Sequence, residues 1–176
     1  MALPNPTIAP QILKGRTRRG TGHWIWLPAV ADFVTGATEE EISAGTDYTK
    51  QISALDGFAP SPNTVDFGNA GSLIIPTVPS TTTLGTGTVT FNCSNDPSVS
   101  DARSVMNDGL DGTTPTDGYW VDAPNGLVGD GLYKLYAATV QSAALSTGLD
   151  DALTLAVVYA LSAVSGFLTV PGDESS

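Results

Sequence analysis

The stretch that most constrains this chain is the uncharged run from Ala152 to Val170, which begins just after the acidic pair Asp150-Asp151. Its length suits a bilayer crossing, since a spanning helix needs roughly 20 mostly apolar residues. That reading would make the chain a tail-anchored membrane protein. The order of residues within the run favours a strand. Leu153, Leu155, Val157, Tyr159 and Leu161 take every second position, and Ala152, Thr154, Ala156, Ala160 and Ser162 lie between them. Period two marks a strand with two unlike faces, and a lipid-facing helix has no reason to alternate large with small. No Lys or Arg flanks the run, so the usual cationic anchors of a membrane helix are missing as well. A strand of this length needs partners. The nearest is Leu132–Leu145, similar in length and joined to it by a short connection, which predicts a long antiparallel pair.

The composition agrees with a sheet. The 176 residues suit one domain with a real core. Charged residues are only 14%, against roughly 25% in an average soluble protein, and Gly, Pro, Thr, Ser and Ala take their place. This describes an all-β protein with many turns whose surface is largely covered by something else. The net charge of −11 is unevenly spread: Lys14, Arg16, Arg18 and Arg19 form one basic cluster, and after it only Lys50, Arg103 and Lys134 stand against all 18 acids. An acidic body repels nucleic-acid phosphate. The basic cluster remains open to three readings: a solvated arm, a segment docked on the acidic body of a neighbouring copy, or a short nucleic-acid patch. Cys93 is the only cysteine, which leaves no intrachain disulfide or zinc cluster. Met1 is followed by Ala-Leu-Pro-Asn-Pro and not by a signal sequence, so the chain is expected to be cytosolic at synthesis.

Along the chain, Pro4, Pro6 and Pro10 make residues 1–22 an extended arm. A single domain is expected over 23–171, with 172–176 a frayed tail. His23–Leu27 reads as a strand ended by Pro28. Thr38 caps a short helical turn with Glu41 at the capping-box position, and Gly45 stops it. Tyr48–Leu55 and Thr64–Phe67 read as strands separated by the Asp56-Gly57 turn. Residues 68–87 resist assignment because Pro76, Pro79 and Thr81-Thr-Thr83 break every pattern. No charge occurs between Asp66 and Asp96, so this is no ordinary solvated linker. It is either a long hairpin arm ordered against a partner or a loose loop. Gly87–Cys93 alternates as a strand. Residues 96–108 read as a helix, with Asp96 as cap, Pro97 in the first turn, and Val99, Ala102, Val105 and Met106 at helical spacing. Thr116–Asp122 is a further strand, closed by the Pro124-Asn-Gly126 turn. The expected fold class is therefore mainly β: a sandwich or half-barrel of antiparallel strands with one flanking α-helix, a long extended loop and terminal arms.

Catalytic chemistry is absent from this pattern. His23 is the only histidine and sits on a strand. No second histidine completes a metal site, and the adjacent acids Asp150-Asp151 and Glu39-Glu-Glu41 belong to turns or caps. No nucleophile elbow, phosphate loop or cofactor motif occurs. An enzyme is not expected, and no cofactor or metal is.

The succession of motifs resembles the major tail tube proteins of long, non-contractile-tailed (siphovirus-like) bacteriophages, particularly those of actinobacterial phages. The residues that carry the resemblance are Trp24-Ile-Trp-Leu-Pro28 with Val30, Glu41-Ile-Ser-Ala-Gly-Thr-Asp47, Ile52-Ser-Ala-Leu-Asp-Gly-Phe58, Pro60-Ser-Pro62 and Val65-Asp66. It covers residues 23–67 in detail and the remainder in element order. The final strand departs from it, being unusually apolar and without the charges expected of relatives.

The resemblance implies a virion protein that assembles in the host cytoplasm as stacked hexameric rings, and so forms the conduit through which double-stranded DNA leaves the capsid. Its implied partners are other copies of itself, a tape measure protein, a tail terminator and distal tail proteins. DNA would pass without specific binding, and no membrane insertion is expected. Leu73, Ile74, Ile75, Pro76, Val78 and Pro79 would reach the adjacent ring. Lys14, Arg16, Arg18 and Arg19 would contact a neighbouring subunit. Thr154, Ala156, Val158 and Ala160 would face either the lumen or a subunit contact, and having no charge they would need neighbouring strands to make a lumen negative. A different virion β-protein, such as a capsid decoration or fibre-like adhesion protein, is the alternative.

Overall fold

The computed structural model describes residues 7–8, 22–59, 61–66, 77–94, 96, 102–103, 117–127, 131–146 and 152–171. In chain order the elements are β1 (Thr7–Ile8), β2 (His23–Leu27), α1 (Glu39–Ala44), β3 (Thr46–Asp47), β4 (Ile52–Asp56), β5 (Ser61–Asp66), β6 (Thr77–Thr83), β7 (Thr86–Asn92), β8 (Asp117–Ala123), β9 (Leu132–Leu145), β10 (Thr154–Val164) and β11 (Leu168–Thr169). The sheet runs β1-β3-β2-β8-β9-β10-β7-β4, with β11 added to β9. All of its pairs are antiparallel except β1 with β3. The result is a curled, mainly β half-barrel with almost no helix.

The run from Ala152 to Val170 is central to this sheet. Its β10 portion lies between β7 and β9, and Leu155, Val157, Tyr159 and Leu161 are buried. The expected pairing with 132–145 is present, from Leu155 opposite Leu145 to Val164 opposite Tyr136. Register shifts at Val158/Tyr159 and Leu161/Ala163 interrupt that ladder. Such bulges increase local twist, which is how a sheet of long strands curls.

Two apolar clusters lie on opposite faces of the sheet. Alternation along β2 sends Trp24 and Trp26 to one face and Ile25 and Leu27 to the other, and all four are buried. The first cluster is aromatic: Trp120 meets Trp26 at 5.2 Å and Tyr159 at 5.8 Å between ring centroids, and Trp24 meets Phe58 at 5.1 Å. Each such pair contributes about 0.5–1.5 kcal/mol beyond burial. Gly118 makes room for it, because a Cβ there would lie 2.7 Å from Trp26 Cε2 and 2.8 Å from the Leu27 carbonyl oxygen.

The second cluster gathers Ile25, Leu27, Val121, Ala123, Tyr133 and Leu135 beneath Ile42, Ala37 and Val170. Its cover is α1, the 29–37 segment and β11. Thr38 and Glu41 form the expected capping box at the start of α1. Gly45 closes α1 for a different reason from the one expected: its φ of −71° is not left-handed. Any Cβ there would strike Leu27 and Ile25, so the glycine serves close approach to β2.

Two further readings are adjusted. Tyr48–Gln51 is a turn in which Gln51 and Ile52 N–H both donate to the Tyr48 carbonyl, and the strand begins only at Ile52. Within 68–87, residues 77–83 are β6, paired antiparallel with β5 in a separate two-stranded ribbon, and Thr86-Gly87 already belong to β7. The ribbon tip lies outside the described residues. In the 96–108 span, Ala102 and Arg103 are helical, and the rest of that helix also lies outside the described residues.

A bare sheet face and two open edges as candidate assembly site

Among the described residues the cover over this second cluster stops partway across the sheet. Beyond it, the outward residues of β10 are the four expected from sequence, Thr154, Ala156, Val158 and Ala160, all half-buried. Register places Asn92, Thr90, Thr88 and Thr86 of β7 beside them in that order. On the other flank, Ala156 faces Ala144, Val158 faces Ser142 and Ala160 faces Thr139. Directly opposed residues share a face, so β7, β10 and the second half of β9 present one surface of threonine, serine, alanine, Asn92 and a single valine. β4 extends it with Ala54 opposite Thr90 and Asp56 opposite Thr88.

This surface carries no charge in its interior. Asp56 marks one margin, and Asp117, which accepts a 2.5 Å hydrogen bond from Thr139 Oγ1, marks the other. Among the described residues the adjoining strands bring acids to this face only at those two margins. The face is neutral and hydroxylic rather than acidic.

The covered half is fastened by specific bonds. The Ala37 N–H donates to the Tyr133 hydroxyl at 2.9 Å, and Glu41 Oε1 accepts from the Ala31 N–H at 2.6 Å. Burial holds the Tyr133 phenol above its ordinary pKa, so it stays neutral and able to donate. The boundary between covered and bare sheet thus follows from where this clamp ends.

Among the described residues the sheet does not close on itself. β4 forms one end of it and β1, paired to β3, the other. At the β3 end sits the only histidine. His23 Nδ1 lies 2.5 Å from Asp47 Oδ2, and Asp47 also accepts from the Thr49 N–H and hydroxyl at 2.9 and 2.5 Å. Hydrogen bonding to Asp47 raises the His23 pKa against the opposing effect of burial. Burial pushes the Asp47 carboxyl up, but its bonds from His23 and Thr49 outweigh this and hold it below its ordinary value. The pair ties β2 to β3 and has the character of a structural clasp.

Of the other expected positions, Val78 and Pro79 lie on β6, paired with Val65 and Thr64 of β5. Leu73, Ile74, Ile75, Pro76, Lys14, Arg16, Arg18 and Arg19 lie outside the described residues. Sequence reasoning missed the contribution of Thr86, Thr88, Thr90, Ser142 and Ala144 to the face. The signal was present in Gly87-Thr-Val-Thr-Phe-Asn-Cys93, which alternates with the same period as β10.

Among the described residues no group of three or more His, Cys, Asp or Glu side chains is placed to hold a metal ion. Among them, too, no helix is long and apolar enough to cross a membrane.

No family model matches the sequence, and no curated protein matches it. Solved structures do resemble the fold. A chain of the anti-feeding prophage baseplate, 6-fold symmetrised, aligns with a TM-score of 0.52 and 11% identity over 86% of this chain and 93% of that one. A chain of the anti-feeding prophage tube terminating cap aligns with a TM-score of 0.50 and 10% identity over 96% and 99%. A chain of the SPP1 tail tube aligns at 0.45 and 13% over 86% and 77%.

Proposed function

We propose that this chain is a structural subunit of a phage tail, repeating as rings of six that stack into a tube through which double-stranded DNA passes. The observation that carries this reading is the half-covered sheet. A chain whose described residues leave one broad β surface without charge in its interior, and both sheet ends unpaired, suits completion by neighbours. Six-fold repetition around an axis joins open edges into a closed barrel and removes the aggregation hazard of an unpaired strand. The symmetry of the similar baseplate supports the number six.

In such a ring the bare face of β4, β7, β10 and β9 is the channel wall. DNA affinity comes from Lys and Arg neutralising phosphate and releasing counterions. A wall of Thr, Ser and Ala offers no cation, so DNA slides without being held. The acids that give the chain its net charge of −11 then discourage phosphate from settling elsewhere on the subunit. Within a siphovirus-like virion, the tape measure, terminator and distal tail proteins would be its partners.

A second reading has its own support: the likeness to a tube terminating cap spans 96% of this chain and 99% of that one. The two roles differ in growth. A tube subunit polymerises without limit, and a cap stops at one ring. Size-exclusion chromatography with light scattering on concentrated protein separates them. Polydisperse assemblies support the tube, and a single closed ring supports the cap.

A further inference from the structure

The first strand of the chain rests on a small base. β1 is two residues long, and among the described residues it pairs only with β3, which is also two residues long. Thr7 lies opposite Thr46 and Ile8 opposite Asp47. On its other side β3 pairs with β2, where Asp47 lies opposite Ile25 and Thr46 opposite Trp26. Asp47 therefore stands between β1 and β2, and its position fixes that end of β3. A ladder this short is marginal by itself, because two backbone pairings scarcely offset the chain entropy they cost. Small changes at Asp47 thus decide whether β1 stays on the sheet.

Asp47 is 5% exposed, and its carboxylate is held by His23 Nδ1 and by Thr49. The His23 side chain is 31% exposed, open enough to exchange its proton with solvent. Asp47 from β3 and Lys50 from the 48–51 turn are the charges that act on the ring. β8 places Ala123 opposite His23, and Asp122 opposite Trp24 on the other face. α1 brings Glu39, Glu40 and Glu41 in its first turn, where Glu41 is tied to Ala31 and Thr38. A protonated imidazole gives Asp47 a charge-assisted bond, roughly twice as strong as a neutral one. Once the proton leaves, a buried carboxylate keeps only Thr49 and a neutral ring, which is costly. It gains by turning towards water and the exposed Lys50, and that movement displaces the backbone paired with Ile8. β3 itself remains, because the Tyr48 N–H still donates to the Trp24 carbonyl at 2.9 Å and the Trp24 N–H to Thr49 Oγ1 at 2.7 Å. Neither of those bonds titrates.

We propose that the His23–Asp47 bond is a pH-sensitive latch that holds β1 on the sheet. The His23 pKa is raised from 6.5, so the latch is closed below that value and opens as pH rises through the folded value. Asp47, lowered from 3.8, keeps its charge throughout the opening. Opening passes the end of the sheet from β1 to β3 and leaves β3 with an unpaired edge, the kind that accepts another strand. The latch belongs to a single subunit and does not depend on the tube reading.

Hydrogen–deuterium exchange of the full chain at low ionic strength tests this, with each rate divided by the intrinsic rate at the same pH. Between about pH 5.5 and about pH 8.5, peptides covering Thr7–Ile8 and Thr46–Asp47 should lose protection by about tenfold. Peptides from β9 and β10 should keep theirs. His23→Gln retains a side-chain donor but cannot titrate, so its protection at both pH values should equal that of the parent at the higher one. Lys50→Ala removes, at an exposed position, the cation that opposes protonation of His23, so the midpoint of release should rise. A midpoint that does not rise overturns the latch. Protection at Thr7–Ile8 that is independent of pH in the parent, or that depends on pH equally in His23→Gln, overturns it as well. A loss that spreads equally over β9 and β10 does the same, since it reports loosening of the whole sheet.

Discussion

At the scale of single residues, the His23–Asp47 clasp makes a directional prediction about pH. A histidine whose folded pKa is raised contributes stability that is complete below its unfolded value of 6.5 and is lost as pH rises through the folded value. Asp47, lowered from 3.8, contributes stability that is complete above that value and is lost only as pH falls through its folded value. The pair is therefore at full strength between about pH 4 and 6.5. Melting temperature should decline above that window, and His23→Ala should flatten the alkaline decline. Asp47→Ala should cost about 2 kcal/mol by chemical denaturation, because it strips a partner from His23 and two from Thr49. Gly118→Ala tests the packing account. Its Cβ would press on the Trp26 ring and the Leu27 carbonyl, and overpacking of this kind costs about 1–3 kcal/mol. An unchanged denaturation midpoint would count against the tight contact. Val158→Arg addresses the bare face. The side chain is half-buried and outward, between Thr88 and Ser142, so the subunit should fold with near-parental stability and fail to assemble. An unfolded variant would place Val158 in the core instead.

At the scale of elements, what could be read from sequence depended on how many residues carried the pattern. β10 was legible because its alternation of buried and half-buried positions runs unbroken from Thr154 to Leu161 and matches a sheet with two unlike faces. The α1 cap was legible because its bonds are local, between Thr38 and Glu41. β3 and β1, two residues each, leave no periodic trace and exist only through their neighbours. β6 was hidden by Pro79, and its partner β5 contains Pro62. A two-stranded ribbon tolerates both because each strand has an outer edge where a missing N–H costs nothing. The double-sided burial of β2 was concealed for a related reason: Trp24-Ile-Trp-Leu27 is apolar at every position, so alternation could not reveal that both faces are covered. The ribbon invites a deletion. Replacing residues 67–76 with Asn-Gly joins Asp66 to Thr77, the last register pair, through a two-residue turn suited to a hairpin. Circular dichroism should remain that of a folded β protein and stacking should disappear. Normal tubes from this variant would contradict the role given to the tip.

At the scale of the whole molecule, the chain has a dense two-faced core at one side and an unfinished sheet at the other. The aromatic cluster around Trp120, with the clamp of Tyr133 on Ala37, makes the first half self-sufficient. Among the described residues nothing comparable covers the surface of β4, β7, β10 and β9, and the role proposed for it was the least legible part of the sequence. An uncharged Thr-Ala-Ser face has the same composition whether it lines a channel or meets another protein, and only register across three strands shows that it is continuous. The central claim is that this face is completed by other copies around a channel. Electron microscopy of the purified protein at high concentration tests that most directly. The account predicts rings or tubes with an open central channel, and a preparation that stays strictly monomeric at every concentration would contradict it.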